Sequence, residues 1–246
     1  MLLKKNRIFA LLFILVLALA ALSFAVSADE EVVFVSASKG SDSASGTESA
    51  PFKTVTKALE ALKDGGTVDI TDRYEFADKT VLVSEVPVYT APKYNGKVTF
   101  TSVYGGKDWR QDGAELAFSE KTAFSLGGAT VFDKLTLSSA GEEVYIVANF
   151  NELTFTSGFV SVGAKSTENF LYAVGGYFAP QDMNMNAKLD PRITINGGGF
   201  KRVIGFSMYT GKGTYTFSGT AHITVNGGDI DRVYGASAVN HYSGSL

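Results

Sequence analysis

The stretch that decides the fold is ITINGGGFKRVIGFS, residues 193–207, together with a second copy, ITVNGGDIDRVYGAS, residues 223–237. The two copies agree at nine of fifteen positions, and the second begins thirty residues after the first. Each copy holds short runs with apolar residues at alternate positions, and glycines separate these runs. Because periods of about 20 to 50 residues are typical of stacked coils, the pattern predicts a recurring structural unit rather than a site.

Related patterns occur upstream, where strands of the same type begin near Leu135 and Leu153. The unit at Leu153 contains FAPQDMNMNAKLDP, residues 178–191, which indicates an insertion. The unit that begins at Ile193 contains a further alternating run, TYTFS, residues 214–218. One unit is therefore expected to consist of three strands, ITIN, FKRVIG and TYTFS, each on a different face.

Three short strands per repeat predict an all-β fold, a right-handed parallel β-helix with three faces. Each strand pairs with its equivalent in the next coil, so equivalent side chains should stack. An asparagine ladder is also expected, since stacked amides are a known feature of such folds. The predicted stacked pairs are Ile193 with Ile223, Ile195 with Val225, Val203 with Val233 and Asn196 with Asn226.

One short helix is predicted in PFKTVTKALEALKDGG, residues 51–66. Thr54 is a suitable N-cap, and Gly65 follows the helical pattern as a stop signal. A helix this short needs tertiary packing, and the open end of a β-helix needs a cover. We therefore assign residues 29–66 to a strand, a loop and a capping helix, and residues 67–246 to the coils. The apolar stripe of the helix consists of Val55, Ala58, Leu59 and Leu62.

Residues 1–28 have the features of a secretory signal peptide. Lys4, Lys5 and Arg7 precede the apolar run from Ile8 to Leu22, and small residues lead up to a cleavage point after Ala28. The alternative is an uncleaved membrane anchor, for which the run is short. Cleavage predicts an extracellular or cell-surface protein with no membrane span.

The composition excludes several kinds of site. The chain has no cysteine and only two histidines, so a disulfide framework, a thiolate metal site and a histidine-based triad lack the necessary residues. It carries 25 acidic and 22 basic residues, a net charge of −3. A mildly acidic chain without a basic block argues against nucleic acid as a partner.

Residues 33–76, VFVSASKGSDSASGTESAPFKTVTKALEALKDGGTVDITDRYEF, resemble the N-terminal segment of bacterial right-handed β-helix proteins of the pectin-lyase-like superfamily. Residues 98–246 resemble the ITINGG-type repeats of long extracellular proteins of Gram-positive bacteria. The resemblance implies a cell-surface setting. Because the sequence ends about two-thirds through the coil that begins at Ile223, without a closing segment, we expect further coils or a cell-wall module after Leu246. The superfamily includes polysaccharide lyases, glycoside hydrolases, adhesins and binding modules, so the fold alone does not select an activity.

We interpret the chain as a non-catalytic surface module for adhesion, glycan binding or surface architecture. The alternative is a polysaccharide lyase or glycoside hydrolase. For a lyase, the resemblance suggests an arginine base and calcium-binding acids, and Arg202 and Arg232 with Asp229 and Asp231 are the candidates. Because both arginines recur at the same place in successive units, a scaffold role is favoured.

The acidic residues do not define a hydrolase. Asp69 with Asp72, Glu142 with Glu143, and Glu85 are available, but nothing in the sequence sets a separation suited to glycoside hydrolysis. No catalytic pair is assigned.

A polysaccharide or a host or cell-wall glycan is the expected partner. Trp109, the only tryptophan, lies in the glycine-containing segment SVYGGKDWRQDG, residues 102–113. An aromatic ring on a loop can stack on a sugar while polar neighbours bind its hydroxyls. The alternative is a tryptophan that anchors its loop to the sheet beneath. The predicted carbohydrate-binding residues are Tyr104, Trp109, Arg110 and Tyr234.

Calcium is the one cofactor that the sequence suggests. In DMNMNAKLD, residues 182–190, oxygen-bearing side chains recur as at the start of a calcium loop. The glycine and final acid of an EF-hand loop are absent, so a solvated insertion loop is the alternative. A calcium-stabilised spacer without any other ligand is the third functional hypothesis. The predicted metal ligands are Asp182, Asn184, Asn186 and Asp190.

Overall fold

The computed structural model describes residues 30–76, 81–83, 86–164, 168–178, 184–208 and 216–236. Glu31–Leu246 forms one compact unit. Strands dominate the described ranges, and parallel sheets connect each coil to the next. The predicted fold class, an all-β parallel β-helix with a short N-terminal helix, is confirmed. Three sheets, A, B and C, correspond to its three faces.

Sheet A begins with the first strand of the chain, and all of its neighbouring strands are parallel. Among the described residues it has seven strands. They are β1 Val32–Val35, β2 Gly66–Ile70, β6 Val98–Thr101, β11 Thr130–Phe132, β14 Glu152–Phe155, β18 Arg192–Ile195 and β22 His222–Val225.

Sheets B and C form the other two faces, and β4 is antiparallel to β5 at the edge of sheet B. In the described ranges, sheet B consists of β4 Val81–Val83, β5 Val86–Thr90, β10 Thr122–Ser125, β13 Val144–Val147, β16 Leu171–Val174, β20 Arg202–Ile204 and β24 Val233–Tyr234. Sheet C consists of β3 Arg73–Glu75, β9 Glu115–Phe118, β12 Thr136–Ser139 and β15 Val160–Gly163.

Within a coil the chain passes from sheet A to sheet C and then to sheet B. Shorter elements lie between these strands. They are the antiparallel pair β7 Val103–Tyr104 and β8 Lys107–Asp108, a 3-10 helix Trp109–Asp112, the parallel pair β17 Asn184–Lys188 and β21 Thr216–Ser218, and the parallel pair β19 Gly199–Phe200 and β23 Asp229–Ile230.

The stacking predicted from the opening repeat is confirmed. Ile193 pairs with Ile223 and Ile195 with Val225 in sheet A, and Val203 pairs with Val233 in sheet B. The asparagine ladder is also present, since Asn226 Nδ2 donates to Asn196 Oδ1 over 2.8 Å.

The second glycine of each NGG motif forms the corner that follows a sheet A strand. Gly198 and Gly228 have φ values of 87° and 91°, a left-handed conformation that favours glycine. A Cβ on Gly198 would lie 2.6 Å from the Phe159 ring. The glycines therefore recur because the corner requires them.

The strand near Leu135 does not lie on the same face as the strands at Leu153, Ile193 and Ile223, so this assignment is wrong. It lies in sheet C, where Thr136 pairs with Val160. In sheet A, Leu153 pairs instead with Thr130. Alternating apolar residues occur on every face, so the strand pattern does not reveal which face a strand joins. The face is set at the corner between β11 and β12, where Lys134 adopts a φ of 42° and turns the chain from sheet A to sheet C.

The run TYTFS is not the third face of its coil. β21, which contains its last three residues, pairs with β17 outside the three main sheets. The short β19 occupies the third face instead, since Ser161 Oγ in β15 accepts from Gly199 N at 2.7 Å and donates to Gly199 O at 2.9 Å. FKRVIG accordingly divides between β19 and β20 rather than forming one strand.

The helix, α1 Val55–Ala61, forms where the sequence predicts it. Thr54 caps it by accepting a hydrogen bond from Lys57 N at 3.1 Å. The predicted apolar stripe is fully buried. It consists of Val55, Ala58 and Leu59 in α1 and Leu62 directly after it. The helix contacts β1 and β2, so it covers the first strands of sheet A. Among the described residues, no helix is both long and apolar enough to cross a membrane.

A column of phenylalanine rings fills the core between the sheets. Phe132 stacks on Phe100 and on Phe155 with centroid distances of 5.3 and 5.2 Å and nearly parallel planes. Phe155 also meets Phe200 edge-on at 4.8 Å. The column links four successive coils, and these four side chains are fully buried.

We expect Phe155→Ala to lower the free energy of unfolding by about 3–5 kcal/mol, because it removes a buried ring and leaves a cavity between two coils. Urea unfolding measures this change. Val160→Ala, on the outer face of β15 where Val160 is 43% exposed, is the control and should change stability by no more than about 0.5 kcal/mol. Equal losses in both variants would contradict the core assignment.

Candidate functional site

An open cleft of about 490 Å³ lies where the N-terminal loop meets the corner after β2. One wall is formed by the loop between β1 and α1, including Ser38 and Lys39. The β2–β3 corner forms the floor, and the 3-10 helix with Trp109 forms the opposite wall. The cleft thus brings together three connections that leave the sheets at neighbouring coils.

Asp72 holds the loop wall in place. Its Oδ2 accepts from Ser36 Oγ at 2.7 Å, from Ser38 Oγ at 2.6 Å and from Ser38 N at 3.0 Å, and its Oδ1 accepts from Ala37 N at 2.8 Å. Burial raises the pKa of Asp72, but the hydrogen bonds from Ser38, Ser36 and Ala37 outweigh it and hold the pKa below its ordinary value. Asp72 is therefore an ionised structural acceptor.

The hairpin β7–β8 places Tyr104 against the outer surface of sheet A and Lys107 against Trp109. Tyr104, which is 45% exposed, meets the Phe34 ring edge-on at a centroid distance of 6.0 Å. Lys107 Nζ lies 3.2 Å from the centre of the Trp109 ring and 3.4 Å from Glu48 Oε1. The Lys107 ammonium thus covers one face of the indole.

Trp109 and Arg110 begin the 3-10 helix but have different partners. Trp109 Nε1 donates to Asp69 Oδ2 at 2.8 Å. Arg110 donates to Asp108 through Nε at 2.8 Å and Nη2 at 2.6 Å, and its Nη1 reaches Gly158 O at 3.3 Å. Trp109 lines the cleft, whereas Arg110 fixes the helix to the preceding residue and to a later coil.

Asp69 projects from β2 beneath Trp109 and is fully buried. Its Oδ1 has no hydrogen-bond partner. Burial raises the pKa of Asp69 to about 7, although the bond from Trp109 acts in the opposite direction. A carboxyl group with this pKa exchanges its proton near neutrality, yet Asp69 does not itself line the cleft.

The lining of the cleft suits a polar ligand with one flat apolar face. The hydroxyl groups of Ser38 and Thr71 donate to Asp72 Oδ2 and Val35 O, so they offer acceptors to a ligand. Ser49 adds a further hydroxyl, and Trp109 supplies the apolar surface. A few polar groups around an aromatic surface are typical of small-molecule sites. The charged side chains in the lining are Lys39, Glu48, Asp72, Lys107 and Asp112.

The structure separates the four residues predicted to bind carbohydrate. Trp109 lines the cleft. Tyr104 contacts Phe34, and Arg110 binds Asp108, so neither of these two residues lines the cleft. Tyr234 is in β24, the last strand of sheet B, on a different face and several coils away. Carbohydrate contact at these residues stays a prediction.

The predicted calcium ligands fall partly outside the described residues. Asp182 lies outside them, and Asn184 and Asn186 belong to β17, a strand rather than the expected loop. Asp190 Oδ1 accepts from Thr220 N at 2.8 Å. Calcium binding by this segment stays a prediction.

The candidate lyase residues have other partners. The guanidinium of Arg202 lies between the rings of Tyr172 and Tyr234, at 5.5 and 5.8 Å from their centres. Asp229 and Asp231 accept hydrogen bonds from Asn169 Nδ2 at 3.3 and 2.9 Å. Arg202 thus packs against aromatic rings, and its predicted scaffold role stays a prediction.

A second polar cluster, around Glu143, has a structural role. Tyr145 and Tyr172 each donate a 2.6 Å hydrogen bond to it, and Lys201 and Lys121 pair with it at 2.8 and 3.3 Å. Burial raises the pKa of Glu143, but these bonds hold it at about 2. The adjoining cavity of about 50 Å³ is no larger than one or two water molecules.

Comparison with known proteins gives one match. Residues 38–82 match a family described as a protein of unknown function, DUF1565, which is associated with right-handed β-helix proteins. No curated protein and no solved structure matches the chain. The matched segment contains Asp69, Asp72 and the loop wall, while Lys107 and Trp109 follow it.

The sequence offers Asp69 and Asp72 as neighbouring carboxylates but indicates no role for them. The strand period places Asp69 outward, because Val68 and Ile70 point into the core on either side. A buried outward-facing acid is a signal for a covering residue, but the sequence does not say that Trp109 is that residue. Asp69 and Asp72 are only three positions apart but have opposite pKa shifts. Burial raises the pKa of Asp69, whereas hydrogen bonds lower the pKa of Asp72.

We expect Asp69→Asn to stabilise the protein at pH 8 by up to about 4 kcal/mol, the value of a pKa difference between 3.8 and about 7. The folded state holds the Asp69 proton more tightly than the unfolded state. Stability from this group is therefore complete below about pH 4 and falls as the pH rises through 7. The asparagine variant should lose this decline.

Urea unfolding followed by Trp109 fluorescence at pH 5 and pH 8 measures the effect. Asp72→Asn is the control, because it removes a paired carboxylate and should destabilise the protein at both pH values. The same decline in stability for the Asp69→Asn variant and the unaltered protein would refute the assignment.

Proposed function

We propose that the protein is a secreted, non-catalytic β-helix module that binds a glycan in the cleft beside Trp109. The cleft carries this proposal, since it combines an indole with hydroxyl and charged groups on connections held by a stacked scaffold. Loops on rigid scaffolds are frequent binding sites because the scaffold keeps the contact groups in position. Adhesion or surface architecture would follow from glycan binding at a cell surface.

The chemistry of the cleft suits sugars more than an apolar ligand. A pyranose ring presents an apolar face that can stack on the exposed part of Trp109. Its hydroxyl groups can donate to the hydroxyl oxygens of Ser38 and Thr71 and exchange hydrogen bonds with Ser49. The fixed position of Trp109, held by the hydrogen bond to Asp69, lowers the entropic cost of binding.

A polysaccharide lyase or glycoside hydrolase is the second candidate, and the pKa of Asp69 favours it. A carboxyl group with a pKa near 7 is the acid that a hydrolase needs. However, Asp69 is fully buried behind Trp109, and Asp72 is saturated by four hydrogen bonds from the loop wall. Release of reducing or unsaturated sugars from a polysaccharide panel would establish the enzyme and overturn the binding-only proposal.

Secretion is supported by the basic residues, apolar run and small residues at the N-terminus. We expect expression in a bacterial host to yield an exported chain whose first residue is Asp29. N-terminal sequencing of the exported protein measures this. Recovery of an exported chain that retains Met1 would show an anchor instead of a cleaved signal.

We expect the protein to bind at least one glycan on an array and Trp109→Ala to lower that affinity at least tenfold, because the stacking surface is lost. Isothermal titration with the bound glycan measures the affinity. Trp109→Phe keeps an aromatic face but not the hydrogen bond to Asp69, so it should lose less. Val160→Ala is the unaffected control, and equal affinities for all three variants would exclude this cleft.

A further inference from the structure

The aromatic surface of the cleft already holds a cation. Lys107 Nζ lies 3.2 Å from the centre of the Trp109 ring, well within the distance at which an ammonium group is attracted to an indole face. The Lys107 side chain is 49% exposed. A surface lysine thus occupies the position where a stacking ligand would bind.

Two carboxyl groups complete the surroundings of this ammonium group. Glu48 Oε1 lies 3.4 Å from Lys107 Nζ and lines the cleft. Asp69 Oδ2 accepts the Trp109 Nε1–H hydrogen bond at the edge of the ring. Such a bond fixes the orientation of the indole, whose electron-rich face the cation contacts. An aromatic face next to a carboxylate is an arrangement that recognises ammonium ions.

We propose that this arrangement is an ammonium-binding site and that the cleft selects a glycan carrying a protonated primary amine, which displaces Lys107. The inference rests on the proposed function and names the ligand class of the same cleft. The amine of the ligand takes the place of Lys107 Nζ over Trp109 and beside Glu48. The sugar to which the amine is attached then reaches the hydroxyl groups of the cleft.

The displacement costs little free energy. Lys107 and Glu48 are 49% and 58% exposed, and ion pairs at such positions contribute only about 0–1 kcal/mol. The freed ammonium returns to water, where it is well solvated. A ligand amine, by contrast, is attached to a sugar, and the other atoms of that sugar make their own contacts with the cleft.

The charges of the lining favour a cation over an anion. The displaced Lys107 remains attached beside the cleft, so the charged lining is Lys39 and Lys107 against Glu48, Asp72 and Asp112. Two positive against three negative groups leave a net negative charge, which disfavours an acidic glycan. A neutral glycan would have to displace Lys107 without restoring the lost contact between cation and ring.

Two tetrasaccharides with the same sugar backbone, one with free amines and one with acetylated amines, test the inference. Glucosamine tetrasaccharide carries protonated amines at pH 6, and N-acetylglucosamine tetrasaccharide carries none. Isothermal titration gives both affinities, and Trp109, the only tryptophan, reports binding by fluorescence. We expect the amine form to bind about tenfold more tightly, the effect of a cation over an indole.

Two variants separate the ammonium site from general glycan binding. Lys107→Gln removes the internal competitor, which either ligand has to displace, and should raise affinity for both forms several-fold. Glu48→Gln should weaken the amine form alone. The matched controls are Lys57→Gln and Glu60→Gln, which alter an exposed ion pair on α1 outside the cleft and should change neither affinity.

Equal affinities for the two tetrasaccharides, or equal effects of Glu48→Gln on both, would overturn the inference but leave glycan binding in place. Failure of both tetrasaccharides to bind, with another glycan bound in a Trp109-dependent manner, would also overturn it alone. Absence of binding to every glycan on the array would overturn the inference and the proposed function together.

Discussion

Every part of this fold depends on one coil lying in register on the next. In a parallel stack, a residue that points inward must meet its equivalent in the neighbouring coil, and a slip by one position would turn the apolar side chains outward. Ile193 over Ile223 and the ring column through Phe132 show this register in two different parts of the core. Asn196 and Asn226 continue it into the corner, where their amides bond directly.

The register constrains the strands and leaves the connections free to vary. The corner after β18 is short, and Gly198 makes it sharp. The connection after β6 is longer and holds β7, β8 and the 3-10 helix. The cleft exists because this longer connection approaches the loop wall, which leaves sheet A two strands earlier. Asp72 secures the loop, and Asp69 accepts the hydrogen bond of the Trp109 indole.

Much of the scaffold could be predicted, because it depends on local periodicity and on exact repetition. The helix stripe, its Thr54 cap and the stacked pairs of the opening repeat are all present. The face occupied by the strand near Leu135 could not be predicted, since alternating residues look alike on each face. Lys134 decides it through a left-handed corner that nothing in its residue type announces.

Of the residues that line the cleft, the sequence predicted Trp109 as a binding residue but predicted none of its contacts. Trp109 stands out as a lone tryptophan between glycines, but its partner Asp69 is forty positions earlier in the chain. Because the coils differ in length, the sequence does not show which residues of successive coils will be in contact. The position of Lys107 over the indole likewise depends on the hairpin β7–β8, whose two strands are only two residues long.

The sequence by itself determined the stacked all-β architecture, the capping helix and the register of the last two coils, because these follow from periodic side chains and repeated glycines. The tertiary structure alone decided the cleft, the burial of Asp69 and the covering of Trp109 by Lys107. The physical reason is that register is a repeated local pattern, whereas the cleft arises from single contacts between connections of different coils.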